Sequence, residues 1–206
     1  PSLNYSISYM MKLIILIPLL LFMFTLAQVI SNELSAVKIR DDYFEKLVLP
    51  EPITSFGACK DGDFLYVYGG HTGEAHVYSK ETHSKSFVRL DLKKVKNWES
   101  LPFDQPLQGF GMAAHNGRIY ISGGSQATNE DGEESNLSSL SSVSFYDINA
   151  KKWRKSTPLP EPRSSHEMVA HNGKLYVVGG WHMKDGRGVN WYNHELVAEI
   201  SEKPLK

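Results

Sequence analysis

Two histidines, His71 and His76, stand five residues apart, with Glu74 between them and Thr72 beside the first. Imidazole and carboxylate are ligands for zinc and related ions, so the trio could form part of a metal site. The same residues also read as a polar loop with hydrogen-bonding histidines. That reading is preferred, so no metal site and no cofactor are assigned. A second group is Arg163, Ser164, Ser165 and His166. A guanidinium there can clamp a carboxylate or a sugar, or it can bond backbone carbonyls between neighbouring units. A third group, Trp181, His182 and Arg187, sets an aromatic face beside polar groups. The stretch DGEESNLSSLSS at 131–142 is acidic and serine-rich but lacks the order of a calcium loop, so it reads as a loop tip. No nucleophile and base stand out together, and no catalytic residue is named.

Composition narrows the classes. The chain has 206 residues, is 41% hydrophobic and carries a formal net charge of −1. Lys and Arg total 22 against 23 Asp and Glu, without a long single-sign run, which points away from a nucleic-acid binder. One cysteine, Cys59, excludes an internal disulfide framework.

The candidate residues are placed by a repeat. NGKLYVVGG at 172–180 recurs as NGRIYISGG at 116–124 and DGDFLYVYGG at 61–70. The glycine doublets are Gly69-Gly70, Gly123-Gly124 and Gly179-Gly180, so the second glycines are 54 and 56 residues apart. Asn-Gly or Asp-Gly between two apolar runs predicts a tight hairpin. A small-and-apolar strand precedes each turn. A third strand is predicted near Phe87, Val143 and Leu196, and a fourth around Trp98 and Trp153. Each unit is thus a four-stranded meander. The first copy reads as carrying one extra residue, Asp63, which aligns Cys59 with Ala114 and Ala170, and Lys60 with His115 and His171. The doublet predicts close approach of neighbouring sheets, which a Cβ would forbid. The tryptophans offer a large surface to pack one sheet on the next. Between the second and third strands lie long polar loops, about 16, 18 and 15 residues. They open on the same rim as the segments joining the units, and function concentrates in such loops. All nine candidate contacts (His71, Thr72, His76, Arg163, Ser164, Ser165, His166, Trp181 and His182) fall there.

Glycine doublet, aromatic third strand and in-phase tryptophan at this period resemble the kelch repeat. The run LPEPRSSHEMVAHNGKLYVVGGW is similar to secreted bacterial kelch proteins of unassigned activity. The resemblance implies an all-β fold, a β-propeller of four-stranded antiparallel blades around a channel. Galactose oxidase and sialic-acid mutarotases share that fold, so it does not name a reaction. Long polar loops without a recognisable nucleophile, base or ligand set point to a binding module for a protein or glycan at the loop-rich rim. The alternative is a sugar-active enzyme, a mutarotase using Arg163 and His166 or an oxidase. The oxidase chemistry requires a cysteine-crosslinked tyrosine, and Cys59 reads as a core residue of the repeat.

The blades are expected at 51–102, 103–160 and 161–206, the last incomplete, with a lone strand at 43–50. Glycine-to-tryptophan spacing places the third tryptophan near 208, past Lys206. The remaining blades of a chain of roughly 300–400 residues are expected from further sequence or from partner chains. Residues 1–27 read as upstream sequence and a secretory signal: Met10 and Met11, Lys12, an apolar run at 13–26, and small residues at Thr25 and Ala27. Residues 28–42 read as a linker. The expectation is export, secreted or periplasmic. The alternative is an uncleaved membrane anchor, since the apolar stretch to Ile30 is at the lower edge of a bilayer span. Asn136-Leu137-Ser138 is a glycosylation sequon.

Overall fold

Turn chemistry sets each unit. His115 pairs with Arg118, and His171 with Lys174, across the loops Asn116-Gly117 and Asn172-Gly173. All four loop residues have positive φ, 47° and 70° in one and 47° and 73° in the other. This is the type I′ pattern, whose twist matches the flanking strands. In the first unit Asp61 pairs with Phe64 across Gly62-Asp63, and of these two only Gly62 has positive φ, 54°. Glycine leading the loop suits a II′ turn. The alignment expected from sequence is corrected here. All three turns have two residues, so Asp63 is not an insertion. Cys59 matches Ala113 and Val169, which face Tyr66, Tyr120 and Tyr176 across the hairpins. Asp61, rather than Lys60, matches His115 and His171.

The computed structural model describes residues 48–200, within the compact unit Lys46–Lys206. The signal and linker readings, and most of the lone strand, lie outside the described residues. The chain forms β1 (Gly57–Asp61), β2 (Phe64–Tyr68), β3 (Phe87–Asp91), β4 (Glu99–Ser100), β5 (Gly111–His115), β6 (Arg118–Ser122), β7 (Ser125–Ala127) and β8 (Leu137–Ser139). It continues with β9 (Val143–Asp147), β10 (Lys152–Lys155), β11 (Glu167–His171), β12 (Lys174–Val178), β13 (Trp181–Lys184), β14 (Arg187–Trp191) and β15 (Glu195–Glu199). Antiparallel meanders build three blades: β1-β2-β3-β4, β5-β6-β9-β10 and β11-β12-β15. The described residues are all-β, and their blades are part of a propeller. Among the described residues no helix is long and apolar enough to cross a membrane.

The loops after the doublets differ from expectation. After Gly124 and Gly180 they fold as hairpins of their own, β7-β8 and β13-β14. Asp185-Gly186, at φ 50° and 73°, turns the second of these.

Blade faces alternate by strand period. Tyr66, Tyr68 and Phe87 of the first blade pack on Met112, Ile119, Ile121 and Tyr146 of the second. Ala113 and Tyr120 of the second meet Met168, Leu175 and Val177 of the third. Each fully buried side chain of this size contributes about 1.5–3 kcal/mol. Trp153 bridges the first two blades, its ring 5.2 Å from Tyr68, 5.4 Å from Phe87 and 5.5 Å from Tyr146. Its indole N–H donates to the Pro102 carbonyl at 2.6 Å. Trp98 lies just ahead of β4 and donates to the Val48 carbonyl at 2.9 Å.

The doublets do what their residue type suggests. A Cβ on Gly69 would stand 2.7 Å from the Leu107 carbonyl oxygen, and one on Gly123 would overlap the Arg163 carbonyl. The following amides use those same oxygens, Gly70 N–H to Leu107 and Gly124 N–H to Arg163, both at 2.8 Å. Close backbone approach between blades therefore excludes a side chain at these positions.

Candidate functional site

Above each blade sits a second, narrower ladder that period and composition did not reveal. Thr54 bridges to His71, which bridges to His83. Gln108 bridges to Ser125, which pairs with Ser139. Ser164 bridges to Trp181, which pairs with Trp191. The first member of each ladder comes from the segment leading into a blade, the second follows the glycine doublet, and the third lies on the returning chain. Next to the first member, Ser55, Gly109 and Ser165 all take positive φ, 53°, 58° and 53°. Single backbone bonds link them, Gly109 N–H to Ser55 O at 2.8 Å and Ser165 N–H to Gly109 O at 2.6 Å.

The ladders are clipped to one another. Ala127 N–H donates to His83 Nε2 at 2.9 Å, and Met183 N–H donates to Ser139 Oγ at 2.9 Å. The register position is the same in both cases: the third ladder residue of one unit accepts from the strand two residues past the second ladder residue of the next. His83 is 3% exposed. Burial, with His71 beside it, pushes its pKa down to about 4.

The first predicted group does not converge on a carboxylate. His71 is buried, and its Nε2–H donates to the Glu74 backbone carbonyl at 3.0 Å. Its ring meets Tyr78 edge-on at 4.9 Å. His76 is exposed, at φ 65°, with Nδ1 3.5 Å from the Tyr78 hydroxyl. Tyr78 thus lies between the two histidines. Thr72 is tied to the Thr82 carbonyl through both N–H and hydroxyl, at 2.8 and 3.2 Å. Among the described residues no group of three or more His, Cys, Asp or Glu is placed to hold a metal ion.

The second group is drawn into the structure. Arg163 is 0% exposed and lies over the Tyr192 ring at 4.0 Å. It donates to the carbonyls of Gly179 at 2.8 Å and His194 at 3.1 Å, and to Glu161 Oε1 at 3.1 Å. The guanidinium ties backbone carbonyls of its own unit, rather than those of a neighbouring unit as one alternative read from sequence has it. Ser164 Oγ is 2.7 Å from Ser139 Oγ, across the joint between second and third units. His166 Nε2 accepts from Gly111 N–H at 3.2 Å and from the Ser122 hydroxyl at 3.0 Å. Burial, then the nearby Arg163, push its pKa down to about 4. Ser165 alone of this group is exposed, and it accepts from the Trp181 indole N–H at 3.2 Å.

The third group stays on the surface. Trp181 and Trp191 lie with ring centroids 4.7 Å apart, tilted by 35°. Trp191 is 75% exposed. His182 pairs across the hairpin with Asn190, and Arg187 stands exposed at the start of β14. Sequence reading passed over Trp191, His83 and Ser139. For Trp191 a signal existed: Asp185-Gly186 between WHMK and RGVNW is the same hairpin signature that marked the inner strands.

Two further features belong to the framework. Cys59 packs against the core between the first two blades, and burial raises its thiol to about 12. A groove of about 710 Å³ between the second and third sheets is lined by Ser122, Val143, Phe145, Leu196 and Ala198, among others. Ser122, Val143 and Ala198 are the register counterparts of Tyr68, Phe87 and Tyr146, which seat Trp153. The groove is thus part of blade packing, away from the rim.

A family model described as the KLHDC2/KLHL20/DRC7 Kelch-repeats domain matches residues 21–197. The chain belongs to the kelch-repeat family. It is 35% identical to Kelch-like protein 30 of Homo sapiens over 121 residues, 57% of this chain and 20% of that protein. It is 32% identical to Kelch-like protein 41b of Danio rerio over 143 residues, 69% of this chain and 21% of that one. Beta-scruin of Limulus polyphemus is 26% identical over 123 residues, 59% and 12% of the two chains. Among solved structures, one titled Structure of YjhT superposes with a TM-score of 0.51 at 26% identity, covering 65% of this chain and 36% of that one. This kelch array spans about a fifth of the length of the Kelch-like proteins it matches. A kelch propeller suggests a protein-binding module.

Proposed function

We propose that the chain is an exported binding module that takes a protein ligand at the ladder-bearing rim. The observation that carries this reading is the contrast between the two parts of each unit. The described blades pack on one another through apolar faces and backbone bonds. The rim leaves Trp191 and Arg187 exposed on the β13-β14 hairpin, His76 exposed in the loop after Gly70, and Ser165 exposed in the segment joining two blades. Rigidly mounted aromatic and polar groups bind with little ordering cost. A glycan is the second ligand class, since an indole face flanked by a hydroxyl also suits a sugar ring.

The test is direct. A displayed library of short linear peptides and a glycan array are both offered to the chain, and binding is mapped with rim variants His76→Ala and Ser165→Ala. Peptide ligands that compete with one another and lose affinity on rim substitution are the expected result. Ligands retained only by the blade edges, or none, would overturn the reading. Export has its own readout. A secreted product beginning at Gln28 supports a cleaved signal, whereas retention of residues 13–30 in the membrane fraction supports an anchor.

A further inference from the structure

Asn136 immediately precedes β8 on the rim of the second unit and begins the triplet Asn136-Leu137-Ser138. The middle residue is not proline, and among the described residues no other asparagine begins such a triplet. The fold gives it a defined setting. The Asn136 backbone is engaged on both sides: its N–H donates to Asn129 Oδ1 at 2.8 Å, and its carbonyl accepts from Thr128 N–H at 3.0 Å. The side chain is half-buried, and Oδ1 is the enclosed end of the amide. That turns Nδ2, the atom that carries an N-linked sugar, toward the open side.

The rim loops of three units meet here. Ser135 Oγ accepts from Tyr78 N–H of the first unit at 3.2 Å. Leu137 O accepts from Gly186 N–H at 2.9 Å, and Ser138 Oγ from Asp185 N–H at 3.0 Å, both in the third. The Leu137 side chain is buried with Ala127 and Met183.

We propose that Asn136 carries an N-linked glycan. The proposal rests on the export reading above, through a compartment that supplies an oligosaccharide on a lipid diphosphate. In the transfer the bond from sugar C1 to the diphosphate oxygen breaks and the Nδ2–C1 bond forms. Nδ2 gives up one proton, and the lipid diphosphate leaves. The triplet is read with its hydroxyl accessible, whereas in the finished fold Ser138 Oγ is bonded by Asp185 and Leu137 is covered. The transfer therefore belongs to the emerging chain, before the third unit packs along β8. The finished fold accommodates the product because the enclosed end of the amide is the oxygen. A bulky, hydrated chain then stands over the joint of the three rim loops.

The experiment translates the whole chain with animal-cell microsomes, once behind its own N-terminal segment and once behind an added cleavable leader. The expected result is a slower-migrating, protease-protected chain that a peptide N-glycosidase restores, leaving aspartate in place of Asn136 by mass spectrometry. Asn136→Gln and Ser138→Ala are expected to lose the modification, and Ser138→Thr, which keeps a hydroxyl, to retain it. The readout is taken on newly made chains, so it does not depend on how well each variant folds. Protected chains from both arms without a glycan on Asn136 overturn the proposal and leave the export reading standing. A glycan on Asn136 only behind the added leader supports the site and counts against export by residues 13–26. Modification that maps only to Asn4, in the triplet Asn4-Tyr5-Ser6 outside the described residues, overturns the proposal as well.

Discussion

At the residue scale, each unusual side chain is explained by what touches it. Gly123 and Gly179 occupy the same place in the repeat, at φ 58° and 67°, but only Gly123 has a neighbouring blade's carbonyl where a Cβ would stand. Gly123→Ala should therefore cost on the order of 3 kcal/mol or more, from backbone strain plus overlap. Gly179→Ala should cost about 1 kcal/mol, from the left-handed backbone alone. Urea unfolding of the two variants measures the gap, and equal losses would mean that blade contact is not what demands glycine. Arg163 gives a second contrast. Its guanidinium bonds two carbonyls and a carboxylate at once, a pattern that a lysine ammonium cannot reproduce. Arg163→Lys is expected to lower stability by roughly 2–4 kcal/mol. An unchanged melt with lost ligand binding would instead make it a ligand clamp.

At the scale of elements, the blades are held by aromatics reaching across joints. Trp153 stands on β10 of the second blade and packs on Tyr68 and Phe87 of the first. Trp153 is half-buried, so Trp153→Ala is expected to cost about 3 kcal/mol, the lower end of the range for deleting a large core aromatic. The loss should fall on both adjoining blades, because a repeat array shares its stability through neighbour interfaces. Hydrogen exchange in β3 and β9 reads this out. Faster exchange confined to the second blade would contradict the bridging role. The rim ladders add a smaller, polar tie. Ser139→Ala orphans the Met183 N–H and should cost roughly 1–3 kcal/mol, with faster exchange at that amide.

For the molecule as a whole, two buried histidines make the joints sensitive to acid. His83 joins the first and second ladders, and His166 joins the second and third blades, each through an Nε2 that accepts a backbone N–H. Both have pKa values pushed down to about 4, against an ordinary value of 6.5. The sign follows from proton counting. Below 6.5 the unfolded chain binds protons that the folded chain refuses, so stability falls as pH drops from 6.5 toward 4 and levels off below it. Each site contributes roughly 1–3 kcal/mol to that loss. Denaturation curves at pH 7, 5.5 and 4 check it. His83→Gln with His166→Gln keeps an acceptor without the titration and should flatten this part of the profile. An undiminished acid slope in the double variant would place the sensitivity on carboxylates.

Sequence alone determined the unit and its inner strands. Turn residues and strand alternation act over a few residues, so Asn116-Gly117 and Asn172-Gly173 announced their hairpins without knowledge of neighbours. The glycine doublets and Trp153 also announced themselves, because only one residue type meets the steric or packing demand. The first copy was misaligned by one residue because a II′ turn puts glycine ahead of Asp63, whereas the other copies put asparagine ahead of glycine. The rest was decided in three dimensions. Arg163 and His166 looked like rim residues available to a ligand, and burial against Gly179, Tyr192 and Gly111 engages their polar atoms. The rim ladders arise when the segment joining two blades is laid beside the strand after the next doublet. That pairing links residues such as Thr54, His71 and His83, whose positions partly keep the period of the unit but whose residue types change from one unit to the next. For Trp191 the Asp185-Gly186 turn marks the hairpin, but not whether the side chain is covered. Its exposure depends on which strand lies beside it, and that is a property of the assembled sheet rather than of local sequence.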